Sequence, residues 1–212
     1  SIVVGTGFAF KKGILKKLGG FNTTSVTEDL EFSAQCVLAG EKIVYLPKAK
    51  FYDEQPLGFR QSYIQRERWS YGTIQIFKMY GRKLFKYSIK NKSMSAFDQL
   101  MLNISPFMQV LGLITAVLSL SLMTYSIFTL VWLIIHVLIS LCLSYFGIFL
   151  MGILFTLILN KKSLWLLRKG ILGFWVFIMS WGFICVGCFF KRDLRWKEIK
   201  HVKSVSLKEI AK

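Results

Sequence analysis

The sequence predicts a mixed α/β segment followed by a bundle of membrane-spanning helices. Short stretches of alternating apolar residues and amphipathic helical patterns occupy the first part, but no Asp, Glu, Lys or Arg occurs between Gln99 and Asn160. The whole chain is 54% hydrophobic, against roughly 45–50% for an average soluble domain. The expected organisation is a polar domain over residues 1–93, a transmembrane region with about three apolar helices over 94–190, and a basic tail over 191–212.

The polar segment is expected to alternate helices with strands. Predicted strands lie within Ile2–Phe10, Ile43–Leu46 and Lys50–Tyr52, and predicted helices cover Lys11–Leu18, Glu28–Leu38 and about Gly58–Tyr80. Gly19 and Gly20 are suited to end the first helix because glycine readily adopts the left-handed conformation. The order Ser25-Val26-Thr27-Glu28 has the spacing of a capping box at the start of the second helix. The basic stretch from Arg82 to Ser95 is expected to be a surface linker or an interfacial helix.

Three apolar stretches are long enough to cross a bilayer, which needs about 20 residues. They lie near Asn103–Tyr125, within Phe128–Leu159 and over Ile171–Phe190. Lys and Arg favour the cytoplasmic face, so the basic connector after the second stretch is expected on the side of the polar domain. A third full span, which we expect, places the equally basic tail on the opposite face. An interfacial or re-entrant third stretch is the alternative.

The net charge of +17 narrows the classes of partner. Basic residues that flank apolar stretches are typical of a protein held against anionic lipid on the cytoplasmic face, and they also suit an anionic substrate. Because these flanks account for the charge, no nucleic-acid partner is expected. His136 is the only Asp, Glu, Lys, Arg or His within the three stretches. Transport paths usually place such groups in the bilayer, which disfavours a transporter or channel subunit.

Two acidic residues begin the second predicted helix. Asp29, with Glu28 beside it, follows a loop, so its side chain can point into a cleft. A carboxylate in such a position can orient a hydroxyl group and take its proton. The alternative is that both residues are ordinary first-turn acids that suit the helix dipole.

Gln65, Arg68 and Trp69 share one face of the third predicted helix because their spacing is i, i+3 and i+4. An Arg can form two parallel hydrogen bonds to a phosphate group, and a Trp offers an apolar plate that suits a sugar ring. The alternative is an interfacial amphipathic helix with Trp among lipid headgroups and Arg on lipid phosphate. Near the start of the chain, Gly5-Thr6-Gly7 forms a loop whose glycines let the backbone approach a ligand, or simply a turn.

The order of these motifs resembles the family 2 glycosyltransferases, and in particular the membrane-bound processive synthases of cellulose, hyaluronan, chitin and poly-N-acetylglucosamine. The matching segments are Gly5–Phe10, Gly19–Phe21, Thr27–Glu31, Asp53–Pro56 and Gln65–Trp69, followed by the membrane spans. Each motif is short, but Thr-Glu-Asp followed by Gln-x-x-Arg-Trp at this separation is a specific combination.

The resemblance implies the C-terminal portion of an α/β GT-A domain, which is Rossmann-like and cytoplasmic, followed by an α-helical transmembrane region in a multi-pass plasma-membrane protein. It implies inverting transfer of a sugar from a nucleotide sugar, with UDP as the expected carrier, to a growing polysaccharide. Asp29 matches the family's general base, with Glu28 as its catalytic neighbour. The substrate-binding residues implied by the match are Gln65, Arg68, Trp69, Gly5, Thr6 and Gly7.

The resemblance also implies a divalent cofactor, Mg²⁺ or Mn²⁺, that neutralises the diphosphate. Its ligands are expected in a nucleotide-binding half with an Asp-x-Asp motif, which precedes this region in the family. No residue of this chain matches that motif, so we assign no metal ligand here and expect the chain to be an inactive C-terminal fragment by itself. The open alternatives are single transfer of a sugar to a lipid carrier and a non-enzymatic membrane transporter. An accessory membrane protein is a further expected partner.

Overall fold

The computed structural model describes residues 2–3, 5, 7–46, 48–49, 53, 55–56, 58–122, 127–159 and 164–194. Within these ranges the helices are α1 Lys12–Leu18, α2 Glu28–Leu38, α3 Phe59–Lys90, α4 Met94–Leu122, α5 Ile127–Leu159 and α6 Leu164–Phe190. The chain divides into two compact units, one formed by Ser1–Pro106 with Gly187–Lys212 and the other by Phe107–Val186. The predicted strand Lys50–Tyr52 and residues 195–212 of the predicted basic tail lie outside the described residues.

The prediction of an α/β fold is wrong, because no strand occurs in the described part of the chain. The segments predicted as strands near the start and at 43–46 are irregular wherever they are described. A strand needs a neighbouring strand to pair its backbone groups, and the first segment pairs with α2 instead. The N–H of Val3 donates to Ser33 Oγ at 2.7 Å, and the N–H of Gly5 donates to Asp29 Oδ2 at 2.8 Å. The Rossmann-like GT-A sheet is therefore not seen in the described residues.

Helices α1 and α2 begin and end close to their predicted positions. α2 coincides with the prediction, and α1 starts one residue later than predicted. Gly19 has a φ of +73°, and Gly20 donates its N–H to the carbonyl of Leu15 at 2.8 Å. This is the glycine-dependent helix end that the sequence indicated.

α2 is the central helix of its unit. Ala34 and Val37 pack with residues of α3, while Phe32 and Cys36 pack with residues of α1. Burial, followed by the nearby Glu41 carboxylate, raises the pKa of the Cys36 thiol. α2 is thus held from both sides, which gives its first turn a defined position.

α3 extends to Lys90, well beyond its predicted end at Tyr80. Leu84 is fully buried and packs in the same cluster as Ile76 and Ala34, so tertiary contacts continue the helix through this stretch. Most of the predicted linker is therefore helical. α4 follows after a short turn, where the N–H of Ala96 donates to Ser93 Oγ at 3.3 Å.

Three of the described helices contain stretches that are long and apolar enough to cross a membrane: Met94–Ser119, Leu130–Ile158 and Leu167–Phe190. Their bounds fall near the predicted spans, although the first begins earlier than expected. Within the unit Phe107–Val186, α4 and α6 run antiparallel. Cys185 Sγ donates to Gln109 Oε1 at 3.4 Å, and Gly182 lies against Leu113.

α5 and α6 also run antiparallel within that unit. The indole N–H of Trp175 donates to Ser144 Oγ at 3.1 Å, and Gly152 lies against Ile171. α6 therefore contacts both other helices of the unit, with small residues at several of the contacts.

Candidate functional site

Asp29 is the second residue of α2, and both of its carboxylate oxygens accept hydrogen bonds. The N–H of Gly5 donates to Oδ2 at 2.8 Å, and the N–H of Leu30 donates to Oδ1 at 2.8 Å. The side chain is half-buried, whereas that of the adjacent Glu28 is exposed. Each carboxylate oxygen has a second lone pair. Asp29 is therefore oriented by the backbone while keeping the capacity to accept another hydrogen bond.

Glu31 organises the loop that leads into Asp29. Its carboxylate is 1% exposed and accepts the N–H groups of Thr24 at 2.8 Å and Ser25 at 2.7 Å through Oε2. Its Oε1 accepts the hydroxyl of Tyr80 in α3 at 3.0 Å. The expected capping box is not formed, since Thr27 is the N-cap residue and makes no side-chain cap bond. Glu31 instead pairs the loop's backbone groups, as burial requires.

Tyr80 joins this carboxylate to a second polar side chain of α2. Gln35 Nε2 donates to the Tyr80 hydroxyl at 3.1 Å, and the hydroxyl in turn donates to Glu31. Burial raises the pKa of Tyr80, and the nearby Glu31 carboxylate raises it further, against a lowering by Gln35. The hydroxyl therefore stays protonated and keeps donating at neutral pH.

α3 touches the start of α2 directly. Thr27 is 4% exposed, and a Cβ placed on Gly72 would overlap both the hydroxyl and the methyl group of Thr27. One turn later, Gln75 Oε1 accepts the N–H of Val26 at 3.2 Å. The residue at position 72 must therefore be glycine for the Thr-Glu-Asp segment to lie this close to α3.

The face of α3 that carries Gly72 also carries the predicted Gln-x-x-Arg-Trp residues, one and two turns towards its N-terminus. Gln65 and Arg68 are half-buried, and Trp69 is 37% exposed. The Nε of Arg68 is buried and has no hydrogen-bond partner among the described residues. Arg68 therefore retains donor capacity and Trp69 an accessible ring surface, on the α3 face that meets Thr27 at Gly72.

The two residues between Gln65 and Arg68 have structural partners. Arg66 is 1% exposed; its Nε donates to the Ser62 carbonyl at 3.3 Å, and its guanidinium lies 5.5 Å from the centre of the Phe59 ring. Burial lowers the pKa of Arg66. Glu67 accepts a hydrogen bond from Lys191 at 2.6 Å. These contacts fix the rotation of α3 about its axis.

The structure brings part of the predicted site together. Gly5 contacts Asp29 directly, and the residue that precedes the acidic pair, Thr27, contacts the helix of Arg68 and Trp69 through Gly72. Gly7 is exposed, and Thr6 lies outside the described residues. These contacts test no chemical role, so the roles assigned to all the predicted site residues remain predictions: Asp29, Glu28, Gln65, Arg68, Trp69, Gly5, Thr6 and Gly7.

A divalent metal ion has no set of ligands in the described residues. No group of three or more His, Cys, Asp and Glu side chains is placed there to hold one. The residues present do not fit the Mg²⁺ or Mn²⁺ implied by the family resemblance, so no chemical step is routed through a metal here.

Sequence reasoning missed three residues that shape the site: Glu31, Gln75 and Tyr80. Glu31 follows Glu28 and Asp29 in the first turn of α2, yet it lies one turn before Ala34 on the packed face of that helix. A carboxylate at a position predicted to be buried is a signal that it has partners. The predicted helix ends at Tyr80, and its pattern predicts no contact between that residue and α2.

The described site can be compared with known proteins. The profile for glycosyl transferase family group 2 matches residues 1–191. Probable glycosyltransferase YdaM of Bacillus subtilis is 28% identical over 88 residues, which are 42% of this chain and 21% of that protein. Probable glucomannan 4-beta-mannosyltransferase 14 of Arabidopsis thaliana is 29% identical over 98 residues, 46% of this chain and 18% of that protein.

A further relative is a UDP-forming cellulose synthase of Dictyostelium discoideum, whose catalytic chain is 30% identical over 76 residues, 36% of this chain and 7% of that protein. The chain spans about a fifth or less of the length of these three relatives. No solved structure matches it. The family profile, by contrast, covers both motif-bearing helices and all three apolar helices. The chain therefore belongs to glycosyl transferase family group 2.

Proposed function

We propose that the gene product carrying this chain is a membrane glycosyltransferase that transfers a sugar from a nucleotide sugar to a growing polysaccharide, with Asp29 as the general base. The observation that carries the proposal is the Asp29 carboxylate, held by the N–H groups of Gly5 and Leu30 at the start of α2. Relatives named as a glucomannan mannosyltransferase and a cellulose synthase support a polysaccharide acceptor. The words UDP-forming in one of these names support a UDP-linked donor.

The reaction is a single displacement with inversion at the anomeric carbon. An acceptor hydroxyl oxygen attacks this carbon, and the bond from the carbon to the diphosphate breaks, with its electron pair leaving on the nucleoside diphosphate. The hydroxyl proton passes to Asp29, which a carboxylate oriented by two donors can receive on a free lone pair. Glu28, exposed beside it, adds negative charge near the acceptor.

The remaining predicted residues serve binding in this proposal. Arg68 has a buried Nε without a hydrogen-bond partner among the described residues, so it has donors left for the leaving diphosphate. Trp69 offers its accessible ring to the acceptor sugar. Gln65 lies on the same face one turn away and can donate to sugar hydroxyls. Gly5, Thr6 and Gly7 form the loop that approaches the acceptor.

The reaction is proposed to take place at the cytoplasmic face of the plasma membrane. The apolar helices α4, α5 and α6 support a membrane location, and the excess of basic residues in the polar unit supports the cytoplasmic side. The divalent metal, Mg²⁺ or Mn²⁺, remains an expectation from the family resemblance and is supplied in the assay. A lipid-linked acceptor is the alternative product class.

The test uses the gene product in membrane vesicles with a panel of radiolabelled nucleotide sugars and Mg²⁺ or Mn²⁺. Wild type is compared with Asp29→Asn, which keeps the shape of the side chain but cannot take the proton. We expect one sugar to be incorporated by wild type and a loss of at least about a hundredfold in the variant. Product length distinguishes a polysaccharide ladder from a single lipid-linked sugar.

Glu41→Gln is the matched control, because it removes a carboxylate from the same unit at a surface pair with Lys17. The control is expected to keep wild-type activity at equal protein level in the membrane. Full activity of Asp29→Asn contradicts the assignment of the base. No incorporation by wild type from any nucleotide sugar contradicts the proposed activity.

A further inference from the structure

The segment that follows α6 returns to the helix that carries the Gln-x-x-Arg-Trp motif. Three contacts make this connection within one compact unit. Lys191 Nζ lies 2.6 Å from Glu67 Oε1, and Cys188 Sγ lies 3.5 Å from the Glu67 carbonyl oxygen. The Tyr71 hydroxyl donates to the carbonyl of Arg192 at 3.0 Å. We refer to these contacts between Glu67, Tyr71 and residues 188–192 as the latch.

Two residues of the latch flank, in the sequence of α3, the two residues proposed to bind substrate. Glu67 immediately precedes Arg68, and Tyr71 follows Trp69 by two positions. With about 100° of rotation per residue, Glu67 and Tyr71 lie on nearly the same side of α3, whereas Trp69 lies on the opposite side. Contacts that hold the side of α3 with Glu67 and Tyr71 set the rotation of the helix about its axis. They therefore also set the direction in which Trp69 points.

The latch is built from groups that are largely withdrawn from solvent. Tyr71 is 8% exposed and Cys188 is 2% exposed. The Glu67 side chain is 16% exposed, although that of Lys191 is 40% exposed. The hydrogen bond to Glu67 raises the pKa of Lys191, so the ammonium group of Lys191 stays protonated at neutral pH. An ion pair with one shielded partner is sensitive to reversal of either charge.

We propose that the latch positions Arg68 and Trp69 for sugar transfer and holds the end of α6 on the membrane face where α3 lies. Glu67 and Lys191 are positioning residues in this view, because they act through the orientation of α3 and not on substrate. The kinetic part of this inference rests on the function proposed above. The location of the end of α6 does not rest on that function.

The latch has a consequence for the membrane topology. α3 carries charged residues from Arg60 to Lys90 and so lies wholly on one face of the bilayer. α4 begins on α3, where Ala96 and Leu100 join the core cluster of Leu84, and Lys191, the residue after α6, contacts α3 at Glu67. The number of full crossings between the two points is therefore even, and at least one of the three apolar helices does not cross completely. The basic residues after α6 then stay on the face of the polar unit, as the positive-inside tendency favours.

Cross-linking in membranes tests the location without any need for activity. The gene product with Glu67→Cys and Lys191→Cys, which also carries Cys36→Ser, Cys142→Ser, Cys185→Ser and Cys188→Ser to remove the native thiols, is treated with a short bis-maleimide, and the intramolecular link is detected after proteolysis between the two positions. The matched control pairs Lys191→Cys with Lys90→Cys at the far end of α3, about 35 Å from Glu67 along the helix. We expect a link in the first pair and none in the control or in either single variant. A link absent from the first pair overturns the latch.

Labelling of sealed vesicles with a membrane-impermeant maleimide tests the sidedness. With the four native cysteines replaced by serine, Lys191→Cys is expected to be labelled from the same side as Lys86→Cys, an exposed position of α3. Labelling from opposite sides shows an odd number of crossings and overturns the topology.

Charge exchange tests the positioning role. Glu67→Lys and Lys191→Glu are each expected to lower kcat roughly tenfold with little change in KM for the sugar donor, because the reacting groups are misplaced and not removed. The combined exchange Glu67→Lys with Lys191→Glu is expected to restore kcat. Equal loss in the single and combined variants overturns the positioning role. If wild type transfers no sugar, the proposed function fails, and the cross-link still decides the latch.

Discussion

The two compact units join their helices by different forces. In the polar unit, α2 and α3 meet around the buried carboxylate of Glu31, which receives donors from the loop and from α3. In the unit Phe107–Val186, α6 meets its neighbours at small residues, with Gly182 against Leu113 and Gly152 against Ile171, beside hydrogen bonds made by Trp175 and Cys185. The contact between α2 and α3 depends on matched hydrogen-bond donors and acceptors. The contacts of α6 depend on how closely the helix surfaces can approach each other.

The difference indicates which part of the protein requires a precise arrangement of its groups. A buried polar group without its partner costs about 1–3 kcal/mol or more, so the polar contact admits one arrangement of the loop before Asp29. An apolar side chain that leaves a helix contact in a membrane meets lipid, which is equally apolar. Side chains such as Phe183 and Ile158, 69% and 68% exposed, lack protein cover in this way. The site is therefore expected to be intolerant of change and the apolar helices tolerant.

The largest effect is expected from removing the buried carboxylate. Glu31→Ala leaves the N–H groups of Thr24 and Ser25 and the Tyr80 hydroxyl without their acceptor, and should lower the free energy of unfolding by about 3 kcal/mol or more. Sugar transfer should fall with it, since the loop before Asp29 loses its support. Denaturant unfolding of the purified gene product, followed in the polar unit, measures the loss.

Two comparisons show whether the partners of Glu31 cause this effect. Glu31→Gln should keep much of the stability, because its amide carbonyl can accept the loop N–H groups and its NH₂ can donate to Tyr80. Glu41→Ala, at a pair whose side chains are 30% and 52% exposed, should cost less than about 1 kcal/mol. Equal losses for Glu31→Ala and Glu41→Ala would contradict the contrast between buried and exposed carboxylates.

A smaller effect is expected at the closest approach of α2 and α3. In Gly72→Ala the added methyl group overlaps Thr27, which should cost about 1–3 kcal/mol through overpacking and displace the Thr-Glu-Asp segment. The matched variant is Gly147→Ala in α5, where a Cβ meets nothing within 4 Å. The latter should be neutral or stabilising by up to about 1 kcal/mol, because alanine favours the helix.

The two glycine variants are compared by thermal inactivation and by kcat for sugar transfer. The contrast between the units requires Gly72→Ala to be the more damaging variant in both measurements. Equal tolerance at the two positions would mean that α2 can move away from α3 at little cost.

The smallest effect is expected from the polar contact within the apolar unit. Trp175→Phe removes the indole N–H that donates to Ser144 Oγ, and interhelical hydrogen bonds in membranes contribute only about 0.6 kcal/mol on average. A double-mutant cycle with Ser144→Ala in detergent micelles isolates this coupling. A coupling above about 2 kcal/mol would show that polar contacts also determine the packing of the apolar helices.

Several features of the site followed from local patterns. The start of α2, and with it the place of Asp29, was predicted at the observed residue because helix-start signals act over a few neighbouring positions. The shared face of Gln65, Arg68 and Trp69 followed from helical spacing alone. The Gly5 N–H bond to Asp29 could not be predicted, because it joins residues 24 apart in the chain.

The wrong predictions also arise from contacts between residues that are far apart in the chain. Alternating apolar residues near Val3 predicted strands, but whether a strand forms depends on a pairing partner, and the described backbone there bonds to Ser33 and Asp29 instead. The predicted end of α3 at Tyr80 failed because the burial of Leu84 continued the helix. Both outcomes depend on residues distant in sequence, which override local preference.

The sequence by itself determined which helices are apolar, where the acidic and the Arg-Trp motifs lie, and that the motifs stand on helix faces, since these depend on composition and on the period of the helix. Only the tertiary structure decided that Gly72 admits Thr27, that Glu31 is buried with three donors, and that Lys191 returns to Glu67. The physical reason is that hydrogen bonds and close packing depend on distances between atoms. Such distances exist only after the chain has folded.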